Sequence, residues 1–149
     1  MAQKVILTIG DCYSLNYLIY TVLSKDFNVI CVESCAEAIT YLHSNLNIKG
    51  IVIDIPNVHA ENFALLEHVN SSSILKNIKT VVISNSCDEI LRANTTKLGS
   101  IFLTKPFDPV FLLNYLKVIL NSSTTGWSIN KSDILKISIL LGGVFNNID

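Results

Sequence analysis

The sequence predicts an α/β domain built on a doubly wound, five-stranded parallel sheet. Short runs rich in Val and Ile recur five times, segments with helical apolar spacing lie between them, and the connections are short. Such alternation implies βαβ units with right-handed crossovers, so that helices cover both faces of the sheet.

"KVILTIG" reads as the first strand. After it, Leu15, Leu18, Ile19, Val22 and Leu23 follow the i, i+3, i+4, i+7, i+8 rule and predict a helix, with Ser14 as its cap. "FNVICVE" is the second strand, and "SCAEAITYLHSNL" sets Cys35, Ile39, Leu42 and Leu46 on one helical stripe. "GIVIDI" is the third strand, followed by "ENFALLEHV", whose inner face would be Phe63, Leu66 and Val69. "TVVISNS" is the fourth, and "DEILRANTTKLG" places Ile90, Leu91 and Leu98 among polar residues, with Gly99 as the helix stop. This helix is expected to be the most exposed. "IFLTKPF" is the fifth strand, and beyond "KPFDP" the residues Phe111, Leu112, Tyr115, Val118 and Ile119 form the last amphipathic face. The domain so defined spans 1–121. "NSSTTGW" then reads as a linker, and "SINKSDILKISILLGG" as one more helix, capped at Ser132 and stopped by Gly142 and Gly143. Residues 122–149 are thus a C-terminal extension, with Trp127 as its anchor onto the domain.

With 149 residues the chain fits one domain and a short appendage. Half of it is hydrophobic and only 15% is charged, which implies extensive burial or an apolar surface awaiting a partner. The net charge is −1 and the basic residues are dispersed, which argues against nucleic-acid contact. Cys12, Cys31, Cys35 and Cys87 include no CxxC pair and are expected to be free, buried thiols. With no signal segment and no apolar run of transmembrane length, a cytoplasmic setting without membrane contact is expected.

The residues that follow the strands carry the chemistry, because ligands of doubly wound sheets bind outside the carboxyl ends of the strands. The first strand ends in Gly10-Asp11, the third in Asp54, the fourth in Ser84 and the fifth in Lys105-Pro106. Singly, each has a plain structural reading, as a cap, an Asx turn or a solvated cation. Together they would converge two carboxylates, a hydroxyl and an ammonium on one rim.

This set, with "GIVIDI", "VVIS" and "FLTKPF" at matching spacing, closely resembles the receiver domain of two-component response regulators, from Lys4 to Leu120. The resemblance implies the flavodoxin-like or CheY-like strand order 2-1-3-4-5. It implies that Asp54 accepts a phosphoryl group from a histidine kinase or phosphotransfer protein. Lys105 would pair with that group, Ser84 would be the hydroxyl switch and Phe102 the aromatic switch. Asp11, Asp54 and the Pro56 carbonyl would hold Mg²⁺. Such a module is not an enzyme beyond weak self-phosphorylation from small donors and autodephosphorylation. The low charge content and the apolar face of the fourth and fifth helices suggest a homodimer or a kinase-docking surface there.

Departures from the family pattern shape these expectations. Gly10 stands where receivers carry the first of two acids, so Mg²⁺ would bind weakly. Val58 replaces the usual proline, Asn62 the customary glycine, and Gly99 lies one residue nearer the Lys-Pro pair than is usual. The alternative is a pseudo-receiver, a protein-interaction module that works without phosphorylation. A small enzyme or nucleotide carrier is disfavoured, since "TIGDCYS" has one glycine and no phosphate-binding loop. His43, His59 and His68 are read as surface residues.

Overall fold

β-Branched side chains fit a pleated surface buried on both sides, and in the computed structural model of the chain each Val/Ile run is a strand. These are β1 (Val5–Ile9), β2 (Asn28–Val32), β3 (Ile48–Asp54), β4 (Lys79–Ser84) and β5 (Ile101–Thr104). Between and after them run α1 (Tyr13–Leu23), α2 (Cys35–Leu42), α3 (Glu61–Ser71), α4 (Glu89–Lys97) and α5 (Pro109–Asn121). The structure describes residues 4–44, 47–85 and 89–121. Leu46, Cys87, Trp127, Ser132, Gly142, Gly143 and the extension expected over 122–149 lie outside them.

All strand pairs are parallel and the sheet order is β2-β1-β3-β4-β5, as predicted. Interior strand β1 is buried along its whole length. Ile9, Ile51, Ile53 and Ile55 from the strands and the turn after β3 join Phe63, Leu66 and Val69 of α3 and Leu91 of α4 in one core. Burial of each such aliphatic side chain contributes about 1.5–3 kcal/mol.

Two compact units are distinguished, Met1–Phe107 and Asp108–Asp149. The first holds the whole sheet and α1 to α4. Of the second, α5 is described; Leu112, Tyr115 and Ile119 are buried as expected, whereas Val118 is 42% exposed.

Several local expectations are corrected. β2, at the edge where the predicted order puts it, is only half covered rather than buried: Asn28 and Cys31 are exposed and only Val32 is buried. Cys31 and Cys12 are therefore exposed thiols, and Cys35 alone of the described cysteines is buried. Ser14 does not cap α1; the N-cap is Cys12, with no side-chain hydrogen bond. The α1 stripe is narrower than its spacing suggests, with Ile19 and Leu23 buried and Leu18 43% exposed. The helix packs over β2 and β1, at the margin of the sheet, so part of its apolar face overhangs the edge. In α2, Ala38 rather than Ile39 joins Cys35 and Leu42 in the interior. α4 buries only Leu91 and Thr95, but α1 likewise buries only two residues, so α4 is not alone in its exposure. Gly99 does follow α4, at φ +83°, a left-handed conformation that glycine adopts without steric cost.

Candidate functional site

Parallel pairing puts the carboxyl ends of all strands on one rim, and register fixes which residues meet there. Asp54 is the last residue of β3 and pairs with Ile83; Ser84, the last of β4, pairs with Thr104. One residue past β5, Lys105 reaches across this rim. Its Nζ donates to Asp54 Oδ2 at 2.7 Å, with the two side chains 22% and 17% exposed. The backbone holds this cation as well, since the Lys105 N–H donates to the Ser84 carbonyl at 2.9 Å. The peptide between Lys105 and Pro106 is cis.

Asp11 is exposed just after β1, and it lines one cavity of about 440 Å³ together with Asp54, Pro56, Glu33, Glu61 and Asn85. The predicted set is thus split in two. Asp11, Asp54 and Pro56 face a common space and Lys105 grips Asp54. Ser84 is wholly buried behind the rim, and neither it nor Phe102 is among the described lining residues. Phe102 is half-buried on β5, with the Arg92 guanidinium carbon 5.3 Å from its ring centroid. Among the described residues no group of three or more His, Cys, Asp or Glu side chains is placed to hold a metal ion, so a cation here would rely on two carboxylates and backbone or water oxygens.

Gly10 approaches the site closely. A Cβ built on it would stand 3.4 Å from Asp54 Cβ and 3.5 Å from Asn16 Oδ1, in ordinary van der Waals contact. The glycine therefore leaves room for a Cβ rather than relieving a clash.

Sequence reasoning missed the residues that brace this rim. Asn62, in the first turn of α3, donates from Nδ2 to the Asp54 carbonyl at 2.7 Å, and its Oδ1 accepts from the Cys35 thiol at 2.9 Å. Asn16 of α1 donates to the Gly10 carbonyl at 2.8 Å. A local signal was present for both carbonyl contacts: carbonyls at strand ends lose their ladder partners and need donors, and Asn16 and Asn62 stand near the start of the following helices, six and eight residues beyond the carbonyls they meet. Burial, with a smaller contribution from Glu61, pushes the Cys35 thiol above its ordinary pKa. His43, His59 and His68 are exposed as expected, with the His43 and His68 rings 6.2 Å apart.

No family model matches the sequence, and no curated protein matches it. Solved structures do. A response regulator from Thermotoga maritima is 25% identical, with a TM-score of 0.67 over 82% of this chain and 100% of that one. The phosphorylated cyanobacterial phytochrome response regulator RcpA is 21% identical, with a TM-score of 0.69 over 85% and 100% of the two chains. The Mn²⁺-bound form of response regulator Rcp1 is 21% identical, with a TM-score of 0.67 over 82% and 97%. Sheet order, helix placement and these matches agree: the chain has the fold of CheY-like response-regulator receiver domains.

Proposed function

We propose that the chain is a phosphoacceptor module of two-component signalling, in which Asp54 takes a phosphoryl group from a histidine kinase or phosphotransfer protein. The observation that carries this reading is the Lys105–Asp54 ion pair on the rim of the sheet. A carboxylate nucleophile needs no general base. Lys105 engages Oδ2, and among the described residues Oδ1 has no hydrogen-bond partner, so Oδ1 is the oxygen placed to attack. The Oδ1–P bond forms as the bond from phosphorus to the donor nitrogen breaks, and the donor imidazole leaves with its electron pair. Lys105 then pairs with a phosphoryl oxygen, and the Ser84 hydroxyl donates to another as Phe102 turns inward.

Asp11, Asp54 and the Pro56 carbonyl would hold Mg²⁺, which offsets charge on the transferred oxygens. An all-oxygen donor set around one cavity suits a hard cation, and a relative of this fold is Mn²⁺-bound. Without an acid at position 10 that binding is weak. Intact-mass analysis after exposure to acetyl phosphate with Mg²⁺ should show one added phosphoryl group, lost in Asp54→Asn. Gly10 favours a second reading, a pseudo-receiver that signals by contact alone. It replaces the first if neither the wild type nor Gly10→Asp is labelled while both remain folded.

A further inference from the structure

The outer face of α1 carries Tyr13, Tyr17 and Tyr20, which are 76%, 61% and 47% exposed. The chain has five tyrosines, so most of them stand on this one surface. The spacing i, i+4, i+7 sets them in a row, and the rings of Tyr13 and Tyr17 are stacked, 6.4 Å between centroids and 18° from parallel. A single exposed aromatic is ordinary, but a contiguous row marks an interaction surface.

The row walls a slot of about 270 Å³, closed by Asn16 of the same helix and by Cys31 and Glu33 at the sheet edge. Among the described residues no Lys or Arg lines it, and the one formal charge they bring is the Glu33 carboxylate. Aromatic faces and a carboxylate both attract positive charge, whereas an anion would be repelled and a purely apolar group would desolvate Glu33 without compensation. Guanidinium suits both walls, because its plane stacks on a ring while its edge donates to a carboxylate. The tyrosines are too exposed to enclose a free small molecule; a protein surface around the cation would cover them, and Tyr and Arg are the residue types that dominate such contacts.

We infer that the Tyr13–Tyr17–Tyr20 row and Glu33 form a docking site for an arginine side chain presented by a partner protein. Glu33 also lines the Asp54 cavity, so the docked partner sits beside the phosphoacceptor rim. The inference stands on the slot alone and does not require phosphoryl transfer.

The test is an NMR titration with a helical alanine-based peptide bearing arginines, and with the same peptide bearing citrulline, which keeps the shape and removes the charge. The arginine peptide should shift the resonances of Tyr13, Tyr17, Tyr20 and Glu33, and the citrulline peptide should bind at least about tenfold more weakly. Tyr17→Leu and Glu33→Gln, both at exposed positions, should each weaken binding about threefold or more. Equal binding of the two peptides, no shift at millimolar peptide, or shifts that persist in Tyr17→Leu and centre on Asp11 and Asp54 would overturn it. So would micromolar binding of tetramethylammonium alone, which would make the slot a small-cation pocket.

Discussion

At Gly10 the space for a Cβ beside Asp54 sets the expected effect of restoring an acid. A unit charge about 4 Å from another interacts by roughly 4 kcal/mol at an effective dielectric near 20, before screening and desolvation reduce it. A net of about 1.4 kcal/mol gives about tenfold tighter Mg²⁺ binding in Gly10→Asp, read by calorimetric titration. The same charge repels Asp54 when no cation is present, so the variant should melt at lower temperature in chelator than the wild type does. Cys35 supplies a pH prediction. Its pKa is raised in the folded state, so the folded protein keeps a proton that the unfolded chain has released. The stabilisation from the neutral thiol is fully present below the ordinary thiol pKa and is lost as pH rises through the higher folded value. Chemical denaturation across the alkaline range should show that decline, and Cys35→Ser should flatten it. Iodoacetamide should modify exposed Cys12 and Cys31 well before Cys35.

Elements were legible where burial on two faces leaves a continuous apolar run, as in β1, β3 and β4. They were less legible at the sheet margin, because periodicity reports which side chains share a face and not how much of that face is covered. Leu18 shares the α1 stripe yet stands exposed for this reason, as does Cys31 on β2. The Asp54, Asp11 and Lys105 cluster was readable from strand ends alone, whereas the tie from Asn62 to Cys35, 27 residues away in sequence, is one that no local pattern encodes. Asn62 ties the α3 start to both the end of β3 and the start of α2. Removing it in Asn62→Ala leaves a strand-end carbonyl and a buried thiol short of a partner, at a cost of about 1–3 kcal/mol. The urea midpoint should fall by that free energy divided by the slope, with the slope unchanged. Labelling of Asp54 should slow as well, because the carbonyl of the nucleophile's own residue loses its anchor.

Across the whole molecule, residues distant in the chain meet only because each strand ends in step with its neighbours: Asp54 opposite Ile83, Ser84 opposite Thr104, and Lys105 one residue on. Side chains alternate along a strand, so a slip of one residue reverses every one of them. An alanine inserted between Leu103 and Thr104 should therefore turn Lys105 from Asp54 and abolish labelling by acetyl phosphate. An alanine inserted between exposed Lys76 and Asn77, in the turn before β4, should cost about 1 kcal/mol or less and leave labelling intact. This stepped rim also bears on how such a chain can change over descent. Insertions and deletions can accumulate in the turns without touching the chemistry, but strand lengths are locked together, so a change in one strand survives only if a second change in the same strand restores the count.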